Sequence, residues 1–142
     1  SIPLGRRFRA LKLWFLLRGH GLEGLRTMIR NHVTWAEKVH EAISEMPDME
    51  IVTAPMLSLF TFRLVPEALK GKDEALDALN MRLIEAINND GRIYLTQTKI
   101  DDKFVIRFMT GTWTMEEQDA ETAIAVIAEI AGSLSAKEAS AA

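Results

Sequence analysis

The 142-residue chain contains no cysteine, which excludes a disulfide framework and a zinc site built from thiolates. Its formal net charge is only −3 at pH 7, so it lacks the basic surplus with which nucleic-acid-binding domains neutralise phosphates. It also lacks a long hydrophobic run, since residues 13–17 form a stretch of five apolar residues, whereas a membrane helix needs about 20. We therefore expect no nucleic-acid partner and no membrane partner, and the missing cysteines fit a cytoplasmic protein.

The composition itself is ordinary for a globular domain, with 48% hydrophobic and 26% charged residues. Apolar residues recur with the helical period in four stretches. The last of these begins near Thr114, which can cap a helix because Glu117 follows it in capping-box spacing. The periodicity predicts helices at residues 6–17, 22–46 and 73–88 and a final helix after Thr114, with a break in the glycine-containing segment 19–21.

Segments rich in β-branched and aromatic residues lie between the predicted helices. They predict strands at residues 50–54, 57–65, 92–100 and 103–110, the last two joined through Asp101 and Asp102. In the last strand Phe104, Ile106 and Phe108 point to one face, and Val105, Arg107 and Met109 point to the other. The order predicts an α+β fold, in which an antiparallel sheet of about four strands carries helices packed on one face.

The opening run, residues 2–17, is too apolar for a solvated chain terminus. As a helix it would present apolar side chains on several faces, so we expect something outside the chain to cover it. The run predicts that the isolated chain dimerises, exchanges this helix or aggregates.

Several segments resemble those of group II pyridoxal-phosphate-dependent decarboxylases, and aromatic-L-amino-acid decarboxylases most of all. They occur in the family's order and cover nearly the whole chain. They are the opening run 2–17, Gly-Leu-Glu-Gly-Leu at 21–25, Ile-Arg-Asn-His-Val at 29–33, Leu-Ser-Leu-Phe-Thr-Phe-Arg-Leu at 57–64, Gly-Arg-Ile-Tyr-Leu-Thr at 91–96 and Lys-Phe-Val-Ile-Arg-Phe at 103–108.

The resemblance implies that the chain is the C-terminal part of a longer enzyme of fold type I. Residues 1–20 would then be a linker helix, residues 21–135 the small C-terminal domain, and residues 136–142 a frayed tail. The cofactor would be pyridoxal 5′-phosphate, bound mainly by a large domain that also carries the Schiff-base lysine and the cofactor-stacking histidine. The whole enzyme would be a cytoplasmic homodimer that removes the α-carboxylate of an aromatic L-amino acid as CO₂, and this fragment alone would be inactive.

Two residues are candidates for substrate binding under this resemblance. In the family the backbone at the position of Gly5 lines the active site of the neighbouring subunit, although Gly5 could equally ease entry into a helix. In related glutamate-type decarboxylases an arginine at the position of Arg107 holds the substrate carboxylate, for which a planar guanidinium is well suited. The alternative for Arg107 is a structural ion pair with the large domain or with Glu50, Glu85 or Asp102.

Other candidates are weaker. Arg63 is expected to be structural and on a half-exposed face, because Thr61 is its neighbour on that face. His20, His32 and His40 have neither metalloprotease spacing nor cysteines to complete a metal set, so we expect core or boundary histidines and no metal. Residues 19–24 match a dinucleotide-binding glycine pattern by chance, since no strand precedes them.

A rival function from another class is a non-catalytic α+β module that dimerises through its first helix and serves interaction or regulation. Composition and periodicity alone favour this module, because they reveal no complete active site.

Overall fold

The structure, a computed structural model, describes residues 9–141. By its internal contacts the chain divides into two units, residues 1–31 and residues 32–142. The predicted domain boundaries after residues 20 and 135 stay predictions. None of the helices in the described part of the chain is both long and apolar enough to span a bilayer.

Helix α1, Arg9–Ser44, is interrupted at Gly21, whose φ of 68° and ψ of 166° are not helical. Glycine tolerates this conformation because it has no Cβ, and the predicted break at 19–21 is confirmed. Before the break the large apolar side chains are exposed, by 58% at Leu13, 53% at Trp14 and 61% at Phe15. The Arg18 guanidinium lies 5.7 Å from the centre of the Trp14 ring, a distance at which a cation and a π face attract.

The second unit contains a four-stranded antiparallel sheet in the order β1-β2-β4-β3. Its strands are β1 Met49–Met56, β2 Leu59–Leu64, β3 Thr96–Ile100 and β4 Lys103–Met109. A 3₁₀ turn, Glu67–Leu69, leads from β2 to helix α2, Asp73–Asp90, and helix α3 spans Glu117–Ala141. The predicted α+β class and strand number are confirmed.

The hydrophobic core lies on one face of this sheet, which we call the core face. Phe60 and Phe62 of β2 and Ile106 and Phe108 of β4 point into it and are 3% exposed or less. All three helices contribute to the same cluster, through Val39 and Ile43, Leu79, Leu83 and Ile87, and Ala123, Val126 and Ile127. Helices therefore cover one face, as the sequence predicted.

The third strand is shorter than predicted. It begins at Thr96 rather than Arg92, because the Asn88 amide already binds the backbone of Leu95. Its Oδ1 accepts a hydrogen bond from Leu95 N at 2.8 Å, and its Nδ2 donates to Leu95 O at 3.1 Å. A side chain that occupies both backbone groups leaves none for a strand partner.

The last helix also differs at both ends. It begins at Glu117, and the predicted Thr114 cap is wrong, since the Asp119 carboxylate instead accepts a hydrogen bond from Glu116 N at 2.8 Å. The helix continues to Ala141, where the sequence predicted a frayed tail from residue 136. Alanine has the highest helix propensity, and Glu138 is held by Arg82 of α2 at 2.5 Å.

Candidate functional site

The face of the sheet opposite the core carries the sequence-predicted arginine, and we call it the outer face. Strand pairing places its side chains in rows across the strands. The middle row contains Thr53, Thr61, Arg107 and Thr96, because Thr53 pairs with Thr61, Thr61 with Arg107, and Arg107 with Thr96. The predicted orientation of Arg107 is thus confirmed.

Arg107 is half-buried in the centre of this row. Its guanidinium makes no hydrogen bond or ion pair with any residue that the structure describes. The suggested ion pairs with Glu50, Glu85 or Asp102 are therefore wrong: Glu50 pairs with a different arginine. A partly desolvated guanidinium without a protein carboxylate is suited to bind an external one through two parallel hydrogen bonds.

Arg63 occupies the next row, beside Val105 and opposite Glu50 on β1. It is only 3% exposed, so the expectation of a half-exposed face was wrong at this position. Its Nε lies 3.3 Å from Glu50 Oε2, and an Nη lies 3.9 Å from Asp73 Oδ1 at the start of α2. Arg63 Nε and Nη1 are buried without a hydrogen bond, so the two carboxylates compensate the charge only in part. This supports the structural role predicted for Arg63.

Thr61 lies two residues before Arg63 on β2 and pairs with Arg107 on β4. It is 4% exposed, and its hydroxyl lies 2.8 Å from that of Thr53. The hydroxyl pair satisfies both side chains without a charge. Arg107 consequently has small, neutral neighbours within its own row.

Asn80 is a buried polar residue that sequence reasoning missed. Its side chain, 0% exposed, accepts from Leu64 N at 2.8 Å and donates to Leu64 O and Leu76 O at 2.9 Å each. The amide thereby completes the end of β2 and fixes α2 against the sheet. The signal was present, because Asn80 falls between Leu76, Leu83 and Ile87 on the apolar stripe of α2.

The remaining candidates lie away from Arg107 or outside the described residues. Gly5 lies outside the described residues. The centre of the His40 ring lies 5.4 Å from the centre of the Phe60 ring in the core, and the His32 ring lies beside the Trp35 ring. Among residues 9–141 no cluster of three or more histidines and carboxylates could hold a metal ion.

No described lysine lies in a setting that could hold an aldehyde cofactor. Lys38 is engaged by Glu117 and Glu121, each at 3.0 Å, and these hydrogen bonds raise its pKa. Lys70 pairs with Glu67 at 2.5 Å, which likewise raises its pKa. The other described lysines are exposed. A Schiff-base lysine needs the opposite, a pKa lowered by a desolvated pocket.

Comparison with known proteins relates this site to an enzyme family. Residues 1–65 match the pyridoxal-dependent decarboxylase conserved domain. Phenylacetaldehyde synthase of Arabidopsis thaliana is 39% identical over 134 residues, which are 94% of this chain and 27% of that protein. Aromatic-L-amino-acid decarboxylase of Mus musculus is 38% identical over 134 residues, 94% of this chain and 26% of that protein.

Solved structures agree with the sequence matches. The crystal structure of Oryza sativa TDC with PLP and tryptamine superposes with a TM-score of 0.83 at 30% identity, covering 93% of this chain and 28% of that one. Catharanthus roseus tryptophan decarboxylase in complex with L-tryptophan gives a TM-score of 0.81 at 30% identity, covering 94% and 27%. The chain spans about a quarter of the length of these relatives. The resemblance drawn from the sequence is confirmed: over nearly its whole length the chain is similar to one part of pyridoxal-dependent decarboxylases.

Proposed function

We propose that the full-length protein is a pyridoxal-phosphate-dependent decarboxylase that releases the α-carboxylate of an aromatic L-amino acid as CO₂ and leaves an amine. Relatives named for tyrosine, tryptophan and aromatic-L-amino-acid decarboxylation support this substrate class. When bound, the cofactor supplies the electron sink for this reaction. The part of the protein outside residues 9–141 would hold the cofactor, because no described lysine fits that role. This fragment alone is expected to be inactive.

The observation that carries the proposal is the unpaired Arg107 on the outer face. In our proposal its guanidinium grips the substrate carboxylate and fixes the orientation of the bond that breaks. Thr61 and Thr96 flank it without competing charge. In this proposal Arg63 links β2 to β1 through its ion pair with Glu50 and does not contact the substrate.

The same proposal covers assembly and location. The enzyme would be a homodimer in the cytoplasm, with Gly5 lining the site of the neighbouring subunit and with neither nucleic-acid nor membrane partners. A glycine suits such a position, because it lets backbone approach a ligand closely.

An aldehyde-forming reaction is the second candidate, since one relative at 39% identity is a phenylacetaldehyde synthase. The substrate class would be unchanged, and the product would be an aldehyde instead of an amine. The non-catalytic module is a third reading, which requires that the full-length protein bind no cofactor.

One experiment separates these readings. Pyridoxal phosphate is added to the purified full-length protein, its visible absorption is recorded, and CO₂, amine and aldehyde are measured with a panel of L-amino acids. We expect a bound-cofactor band, with CO₂ and amine from an aromatic amino acid. An aldehyde product would select the second candidate, and a protein without the band would be the interaction module.

A further inference from the structure

A cavity of about 350 Å³ lies where the segment before β3 meets the end of β4 and the first turns of α3. We call it the edge cavity, because β3 is an edge strand of the sheet. Leu95, Phe108 and Ala123 are among its lining residues, and each is 6% exposed or less, so they give it an apolar base. Arg107 does not line the edge cavity, which is therefore separate from the proposed substrate contact.

The size and lining of the edge cavity suit a ligand with one aromatic ring. Pockets for drug-sized molecules occupy roughly 300–1,000 Å³, and this cavity is at the lower end of that range. Besides its buried base, it is lined by Tyr94, Met109 and Met115. A phenol ring and thioether groups both attract an aromatic ring, through ring–ring and sulfur–ring contacts. The apolar part of a ligand is therefore expected to be aromatic.

The charged residues of the edge cavity are Arg92 and Asp119. Arg92 is already paired with two carboxylates, Asp90 at 2.6 Å and Glu129 at 2.8 Å. Asp119 Oδ2 accepts a hydrogen bond from Glu116 N at 2.8 Å, whereas Asp119 Oδ1 has no hydrogen-bond partner among residues 9–141. The cavity therefore offers a carboxylate oxygen to a ligand, while its arginine is occupied.

The balance of charge decides between an amine and an amino acid as the ligand. Arg92 contributes one positive charge, and Asp90, Glu129 and Asp119 contribute three negative charges, so these four groups carry a net charge of −2. The N-terminal end of α3 adds about half a positive charge, which does not reverse the sign. An ammonium group is attracted to such a site, and a further carboxylate is repelled by it.

We propose that the edge cavity binds a compact aromatic ammonium ion, with the ring against Tyr94, Met109 and Met115 and the ammonium on Asp119. An aromatic amino acid carries the same ring but also a carboxylate, which the charge balance disfavours. The amine that remains after decarboxylation has lost this carboxylate. The identification of that amine as the natural ligand, and so of a second product site, rests on the proposed function. The charge preference of the cavity does not.

Equilibrium dialysis of N,N-dimethyl-2-phenylethylamine against the full-length protein tests the proposal. This tertiary amine is an ammonium ion at neutral pH, and it cannot form a Schiff base with pyridoxal phosphate. The ligand control is 3-phenylpropanoate, which has a similar body and the opposite charge. We expect saturable binding of the amine that depends on Asp119, and no Asp119-dependent binding of 3-phenylpropanoate.

Three substitutions locate the bound amine. Asp119→Asn keeps an oxygen for Glu116 N but removes the charge, so it should raise the Kd about tenfold, as expected for a lost charge-assisted hydrogen bond. Thr122→Leu enlarges a side chain of the cavity lining and should also raise the Kd. The helix tolerates this change, because the Thr122 hydroxyl bonds only to Gln118 O of the same helix. Asp102→Asn, in the exposed turn between β3 and β4, is the matched control and should leave the Kd unchanged.

A Kd that neither Asp119→Asn nor Thr122→Leu changes would overturn the proposal, because the amine would then bind elsewhere in the protein. Absence of amine binding to the wild type would overturn it as well.

Failure of this proposal is distinguishable from failure of the proposed function. CO₂ release from an aromatic amino acid, together with a Kd independent of Asp119, would keep the function and remove the edge-cavity site. Binding that depends on Asp119 in a protein that takes up no pyridoxal phosphate would keep the site and remove the function.

Discussion

Arg63 and Arg107 lie on the same sheet face, yet only Arg63 has carboxylates within ion-pair distance. Arg63 is buried and tied to β1 and α2, so its charge serves the fold. Arg107 is half-buried with no partner among the residues that the structure describes, so its charge is left for a ligand or for a carboxylate elsewhere in the full-length protein. Because only Arg63 has carboxylate partners, we predict different effects of substituting the two arginines.

Replacing Arg107 with Met should lower kcat/KM of the full-length enzyme about 100-fold. The loss corresponds to about 3 kcal/mol, as expected for charge-assisted hydrogen bonds to a carboxylate. Arg107→Lys should be intermediate, because an ammonium keeps the charge but not the two parallel bonds. Steady-state kinetics with the absorption of bound cofactor as the control checks this, and a kcat/KM equal to wild type in the Met variant would remove Arg107 from substrate binding.

Glu50→Gln should lower the free energy of unfolding by about 1–2 kcal/mol, because the buried Arg63 loses its nearer carboxylate. The matched control is Glu67→Gln, which breaks the exposed pair with Lys70 and should leave stability nearly unchanged. Urea unfolding of each variant measures both. If Glu50→Gln lowers the free energy of unfolding no more than Glu67→Gln does, the buried Arg63 does not need Glu50 as its partner.

Among the elements, α2 is fixed to the sheet by side-chain amides as well as by apolar packing. Asn80 joins its middle to β2, and Asn88 joins its end to the segment before β3. Arg92 then connects this end to α3, through Asp90 at 2.6 Å and Glu129 at 2.8 Å. The helix therefore has several polar attachments in addition to its core face.

Asn80→Asp should be strongly destabilising, by about 3 kcal/mol or more, because a carboxylate cannot donate to Leu64 O and Leu76 O. Asn89→Asp on the exposed side of the same helix makes the same chemical change and should cost less than about 0.5 kcal/mol. Thermal or urea unfolding distinguishes the two, and similar midpoints would contradict the buried hydrogen-bond assignment.

The Asp90 contact predicts a pH effect. Hydrogen bonds from Arg92 lower the pKa of Asp90, although partial desolvation opposes them, and the same contact raises the pKa of Arg92. A carboxyl with a lowered folded-state pKa stabilises the fold above its unfolded pKa and loses that effect as the pH falls. The stability of wild type relative to Asp90→Asn should thus be constant near neutral pH and decrease below about pH 4. Urea unfolding at several pH values checks the sign, and a relative stability that rises towards acid would refute it.

At the scale of the whole molecule, the described part combines a well-packed unit with a helix of exposed apolar residues. Such a surface in water favours association, because burial of apolar area is favourable and non-directional. The prediction that the isolated chain associates follows from Leu13, Trp14 and Phe15.

Sedimentation of the isolated 142-residue chain tests this prediction. We expect dimers or larger species, and we expect the double substitution Leu13→Gln and Phe15→Gln to shift the distribution towards monomer. Met81→Gln, which alters an exposed apolar residue of the other unit, should leave association unchanged. A wild-type chain that is monomeric at high concentration would refute the prediction.

The sequence predicted features that depend on local periodicity and could not predict those that depend on distant partners. Arg107 and Met109 were placed on one face because a strand alternates with period two. The burial of Arg63 was missed because it depends on Glu50, Asp73 and the pairing of β1 with β2. Asn80 was missed because its partner Leu64 is 16 residues away.

The strand order leaves β1 and β3 at the two sides of the sheet, where unpaired backbone groups could recruit strands from other molecules. Strand β1 carries Pro55, which has no N–H to donate, and its pairing shifts register twice. Strand β3 is five residues long and presents the exposed, charged Lys99. Both margins are therefore poor templates for fibril growth. Clusters formed by the isolated chain should stay side-chain mediated, dissolve on dilution and fail to bind amyloid dyes.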